Sequence, residues 1–94
     1  MAIELSRFDT AAYLADDASQ AEYLSEAFAT GDASFIAHAI GVVARARGMS
    51  QLAADSGINR QQLYRALDKD GNPTLETLTR ILAAMNLKLQ AVPA

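Results

Sequence analysis

The 94-residue chain has no cysteine and a single histidine. Without cysteine there are no disulfides and no thiolate metal sites. His38 alone cannot build a multi-histidine site, and its place between Ala37 and Ala39 suits an exposed helix position. No apolar run approaches the roughly 20 residues that span a bilayer, and the N-terminus lacks the pattern of a signal peptide. There is no glycine-rich phosphate cradle and no metal-ligand spacing. The one adjacent carboxylate pair, Asp16-Asp17, has no nucleophile or second base beside it, and neighbours on a helix point in different directions. These absences leave no catalytic constellation to expect, no metal and no cofactor. They point to one small soluble, cytoplasmic domain with a single core and no membrane association.

Charge of one sign is scarce only in places. The net charge of −3 averages over a strong split. Residues 1–34 carry Glu4, Asp9, Asp16, Asp17, Glu22, Glu26 and Asp32 against Arg7, a net −6. Residues 35–69 carry Arg45, Arg47, Arg60, Arg65 and Lys69 against Asp55 and Asp68, a net +3. Screening limits the reach of exposed charge to roughly 8–10 Å, so local charge decides which surface can meet phosphate. An acidic third joined to a basic middle implies two surfaces with two tasks.

What is present is helical periodicity. Asp9 is placed to cap a short helix over Thr10–Ala15. Ser19-Gln20-Ala21-Glu22 has the form of a capping box, followed by Tyr23, Leu24, Ala27 and Phe28 at helical spacing and Gly31 as a stop. Asp32 caps the next helix, whose Phe35, Ile36, Ala39, Ile40 and Val43 form an apolar stripe ending at Gly48. Short helices over Ser50–Ser56 and Asn59–Leu67 follow. Lys69-Asp70-Gly71-Asn72-Pro73 reads as a turn, with Gly and Asn tolerating positive φ. Thr74 caps a last helix with Leu75, Leu78, Ile81, Leu82 and Met85 facing inward, and Asn86 is a left-handed stop. The alternation Leu87-Lys88-Leu89-Gln90-Ala91 has strand periodicity. Either the same strand of a second copy is its partner, which makes Leu87, Leu89 and Ala91 the candidate dimerisation residues, or the segment is a frayed tail.

The stretch from Leu52 to Leu67 carries the functional signal. A helix-turn-helix needs two helices crossing steeply over a short turn. Ala53 is small enough for close packing, Gly57 suits a left-handed turn residue, and Ile58 plugs the corner. Leu63, Ala66 and Leu67 anchor the second helix, while Asn59 caps it with Gln62 three residues on. Arg60, Gln61, Tyr64 and Arg65 then project from its first turns. Arginine can bridge guanine O6 and N7 and glutamine can bridge adenine N6 and N7, which suits the major groove of double-stranded DNA.

These residues, with Asn72-Pro73-Thr74, Leu78 and Ile81-Leu82, resemble the Cro/C1-type, lambda-repressor-like helix-turn-helix domains. Ala44-Arg45-Ala46-Arg47-Gly48-Met49-Ser50-Gln51-Leu52-Ala53, Leu63-Tyr64-Arg65-Ala66-Leu67 and Gly71-Asn72-Pro73-Thr74 are similar to addiction-module antidote proteins. So are the opening Phe8-Asp9 and Ala12-Tyr13-Leu14 and the closing Leu87-Lys88-Leu89. The resemblance implies neutralisation of a small basic RelE/ParE-like toxin encoded alongside, and repression of the shared operon. Ser56 stands where the motif usually has an apolar residue, which predicts looser packing. Related repressors place a phosphate-binding glutamine where this chain has Met49 and Ser50, so Ser50 and Gln51 are the candidates for that contact.

The expected fold is therefore all-α. It is a lambda-repressor-like five-helix helix-turn-helix domain with one or two extra N-terminal helices and a short C-terminal strand. Residues 1–31 would form an acidic extension, 32–86 the core and 87–92 the strand, within a single domain. The expected function is a DNA-binding antitoxin and autorepressor rather than an enzyme, acting as a homodimer. The DNA-binding set is Ser50, Gln51, Asn59, Arg60, Gln61, Gln62, Tyr64 and Arg65. A stand-alone phage- or plasmid-type repressor is the alternative, and a protein-interaction module without DNA binding is the second.

Overall fold

The structure, a computed structural model, describes residues 16–68 and 70–94. The expected helix over Thr10–Ala15 lies outside the described residues. Those described form five helices and no strand: α1 Asp17–Ala29, α2 Ala33–Arg47, α3 Met49–Ser56, α4 Arg60–Ala66 and α5 Leu75–Ala84. None is long and apolar enough to cross a membrane.

Local chemistry sets the helix ends. The Asp32 Oδ1 accepts from the backbone N–H groups of Ser34 and Phe35, at 3.0 and 3.2 Å. The Asn59 Oδ1 accepts from Gln62 N at 2.8 Å, and Thr74 Oγ1 accepts from Thr77 N at 3.1 Å. Each bond satisfies a donor that the helix itself leaves orphaned. The first helix departs from expectation. Asp16, not Ser19, is its cap, and its Oδ1 accepts from Ser19 N at 2.7 Å. Two cap-competent residues stand three apart, and the earlier one, an acidic group at a helix N-terminus, takes the role. Asn86 adopts φ 62°, with Leu87 N bonding Leu82 O and Asn86 N bonding Ala83 O. That is the Schellman ending expected of it.

One core joins all five helices. It gathers Leu24 and Ala27 of α1, Ile40, Val43 and Ala44 of α2, Leu52 of α3, Leu63 of α4, and Ile81 and Leu82 of α5. Ile58, Leu67 and Met85 fill the corners between elements. Arg47 fastens α1 to α2 on the outside, donating to Asp17 Oδ1 at 2.9 Å and to Gln20 Oε1 at 2.6 Å. Because Asp17 is largely exposed, this pair contributes at most about 1 kcal/mol.

Two stripe residues are not inside. Phe35 remains 45 % exposed and Leu75 68 % exposed. Both sit in the first turn of their helices, where periodicity gives the direction of a side chain but the body of the protein does not extend far enough to cover it. Gly71 also differs. It does not adopt positive φ, and neither does Asn72. Glycine is required at 71 for space, since a Cβ there would lie 2.2 Å from the Ala66 carbonyl oxygen. Finally, residues 87–92 form no strand. A strand exists through its ladder partner, and no described segment of the same chain supplies one. Lys88 and Gln90 instead border a groove with Ala21, Leu24, Ser25 and Phe28 of α1.

Candidate nucleic-acid interface

The site is built on α3, α4 and the three residues between them. Gly57 closes α3 at φ 73°, in the left-handed region that glycine enters without strain. Ile58 is buried at the corner. Ser56, expected to loosen the packing, is only 8 % exposed, and its Oγ accepts from Ile58 N at 3.2 Å. The hydroxyl thereby satisfies a backbone donor inside the turn, which an apolar residue cannot do. Leu63 and Leu67 are fully or nearly fully buried and hold α4 against the core from one face.

Helical geometry then fixes what α4 shows to solvent. With Leu63 and Leu67 inward, Arg60, Gln61, Gln62, Tyr64 and Arg65 are all exposed, and so is the cap Asn59. Gln61 and Arg65, four apart, lie nearest the middle of the outward face. Tyr64 lies to one side and is 40 % exposed. The Arg60 guanidinium reaches its ring at 5.6 Å from the centroid. Arg45, from the end of α2, reaches the same ring at 5.9 Å. Each contact is worth about 0.5–1 kcal/mol at such exposure and keeps a guanidinium in place without neutralising it. Gly41 makes room for this approach, since a Cβ there would lie 3.0 Å from both Arg45 Nη1 and the Leu67 carbonyl oxygen.

On the other side of α4, Gln62 and Arg65 share an open polar groove with Asn72, Thr74, Thr77 and Arg80. Asp70 and Glu76 also border it. Among the described residues Arg45, Arg60, Arg65 and Arg80 form no ion pair with a carboxylate. Arg80, which the sequence reading left out, also lies beside the turn, its Nη2 3.6 Å from where a Gly57 Cβ would be. Its spacing from α4 gives no local signal, which is why sequence reasoning passes over it.

Ser50 is exposed at the start of α3. Gln51 donates to Asp55 Oδ1 at 3.0 Å and lines a different groove with Asp17, Gln20 and Arg47. Leu89 and Ala91 of the candidate dimerisation set are exposed, while Leu87 is half-buried against the core. His38 is exposed. No group of three or more His, Cys, Asp or Glu among the described residues is arranged to hold a metal ion.

Comparison with known proteins reaches nearly the whole chain. A Haemophilus influenzae Rd protein, itself described only as uncharacterized, is 41 % identical over 90 residues, covering 96 % of this chain and 93 % of its own. No solved structure matches. A family model described as "Probable addiction module antidote protein" matches residues 4–93. With its helices, its exposed arginine-rich α4 and this match, the chain belongs to the family of addiction-module antidote proteins.

Proposed function

We propose that the protein is the antitoxin of a toxin–antitoxin pair, and that it binds operator DNA through α4 and represses its own operon. The family supports the antidote role. The observation that carries DNA binding is the exposed face of α4, where Arg60, Gln61, Tyr64 and Arg65 stand together and Arg45 and Arg60 flank the tyrosine with no carboxylate partner among the described residues. In this reading α3, the Gly57-Ile58-Asn59 turn and α4 act as a lambda-repressor-like helix-turn-helix. Gln61 and Arg65 read base edges, and the flanking arginines meet phosphates. A dimer joined through Leu87, Leu89 and Ala91 would set two such helices about 34 Å apart, one DNA turn. The toxin, a small basic RelE/ParE-like protein, meets the acidic N-terminal third, which includes the exposed Glu22 and Glu26 of α1.

The test is fluorescence anisotropy of the protein with DNA from upstream of its own gene, beside a scrambled duplex, at two salt concentrations. Selective binding that weakens with salt is expected. Equal affinity for both duplexes would set aside base readout and favour a module that binds only protein. Light scattering of a chain ending at Asn86 tests the tail: loss of the dimer is expected, and an unchanged dimer mass refutes a tail-mediated interface.

A further inference from the structure

We infer that Arg80 of α5 is a further DNA contact: it holds a backbone phosphate on the strand opposite the one that Arg45 and Arg60 meet, so that the protein straddles the groove entered by α4. In the DNA-binding reading, on which this rests, α4 lies in the major groove. At 3.6 residues per turn, successive side chains stand about 100° apart, so Tyr64 and Gln62 lie to either side of the buried Leu63. Arg45 and Arg60 gather on the Tyr64 flank, 5.9 and 5.6 Å from the ring centroid. Arg80 lines the open groove on the Gln62 flank. The fold thus brings a cation from α2 to one side of α4 and a cation from α5 to the other.

Arg80 is exposed, and its Nη2 lies 3.6 Å from where a Gly57 Cβ would be, beside the turn that leads into α4. Glu76 stands four residues before it, a spacing at which opposite charges pair on a helix, yet no ion pair joins the two. Asp70 also borders the groove and is likewise unpaired with Arg80. Among the described residues the guanidinium has neither an ion pair nor a hydrogen bond. Its fork of N–H groups is left for a ligand with matching oxygens, and a backbone phosphate supplies them.

The dimensions of DNA put phosphates on both flanks. The major groove is about 12 Å wide and a helix with its side chains about 10–12 Å across, so a helix lying in the groove fills it from wall to wall. Each wall is one strand's backbone. Groups on opposite flanks of α4 therefore meet opposite strands, Arg45 and Arg60 the one and Arg80 the other. Contacts on one wall alone leave α4 free to roll about its axis. A contact on each wall fixes that roll, and the roll decides whether Gln61 and Arg65 point at base edges.

The experiment is fluorescence anisotropy over a salt series with DNA from upstream of the gene, intact or with one phosphate at a time replaced by an uncharged methylphosphonate. The wild type should lose affinity at positions on both strands within one half-site. Arg80→Gln should weaken binding about tenfold at the lowest salt, on upstream and scrambled duplexes alike. It should also reduce the slope of log K against log salt by about 0.9, and Arg80→Lys should restore that slope. Methylphosphonates on one strand should then cost Arg80→Gln nothing further, and those on the other strand should cost Arg45→Gln nothing further. A cation at the end of α3 suits that helix's dipole, and a role confined to it would lower the melting temperature of Arg80→Gln but leave the salt slope as it is. An unchanged slope overturns the inference. So does a wild type sensitive on one strand only, or two variants that lose sensitivity on the same strand. Selective binding by the wild type leaves the DNA-binding reading standing in each of these cases, whereas no selectivity at any salt removes both.

Discussion

Replacing Gly71 by alanine should destabilise the protein by about 2 kcal/mol, an unusual outcome for a glycine outside any helix and not at positive φ. The new Cβ would stand 2.2 Å from the Ala66 carbonyl oxygen, 2.7 Å from its carbonyl carbon and 2.9 Å from the Arg65 oxygen. A comfortable C···O approach is about 3.3–3.6 Å, so the loop must retreat by roughly 1 Å. Every obstructing atom is backbone of the last turn of α4, so no flexible side chain can swing aside. Retreat also strains the Gly71 N–H bond to Asp68 O, now 2.8 Å. Overpacking of this kind costs about 1–3 kcal/mol, and weakening the bond adds about 0.5–1.5. Against this, alanine reduces the entropy of the unfolded chain, a gain of about 0.4–1 kcal/mol. The clash wins. Urea unfolding followed by helical circular dichroism should show a lower midpoint with an unchanged slope, and the melting temperature should fall by about 8–16 °C. Gly31→Ala is the control, because φ is 67° there but nothing lies within 4 Å. It should cost about 1 kcal/mol from backbone strain alone. A Gly71→Ala protein within about 0.5 kcal/mol of wild type, or more stable than Gly31→Ala, would refute the reasoning.

Other perturbations test other links. Gly57→Val puts a β-branched residue at φ 73° and should cost about 1–3 kcal/mol, read as a fall in melting temperature. Gln61→Ala should leave stability unchanged but reduce discrimination between operator and scrambled DNA by about 1–3 kcal/mol, and equal losses on both duplexes would contradict base readout. Arg60→Ala, which also removes the contact with Tyr64, should weaken binding to both duplexes alike. Asp16 should make α1 sensitive to acid. The backbone N–H of Ser19 holds its carboxyl below the usual 3.8. A group lowered on folding contributes fully above the unfolded value, and its contribution disappears as pH falls through the lower folded one. Asp16→Asn, which keeps the acceptor oxygen without the titration, should flatten the acid limb of a stability-versus-pH curve.

Features governed by chain neighbours were readable from the sequence. Asn59 and Thr74 cap because a short side chain three residues before a free N–H has little else to do, and Gly57 and Asn86 stop helices because few residues tolerate left-handed backbone. The exposed set on α4 follows once Leu63 and Leu67 are assigned inward. What was not readable depends on distance in space. Arg47 looks like a cation suited to a helix C-terminus, yet it is committed to Asp17 and Gln20, 30 and 27 residues away. Arg45, two residues earlier, has no such partner among the described residues and lies beside Tyr64. Leu75 fits the apolar period of α5 but not its depth. Gly71 suggested a φ requirement and turned out to be a volume requirement, because the approach of Ala66 appears only when the loop folds back on α4.

The seven residues of α4 form less than two full turns, well under the roughly 12–15 at which an isolated helix becomes even marginal in water. Its helicity is therefore borrowed from Leu63 and Leu67, and through them from the core of all five helices. There is no stable species in which the rest has melted while α4 persists. By mass action, anything that binds the folded chain, wherever it binds, enlarges the population in which α4 is formed. A chain pulled into its unfolded ensemble by a protease loses its outward arginines and its antidote surface in the same event.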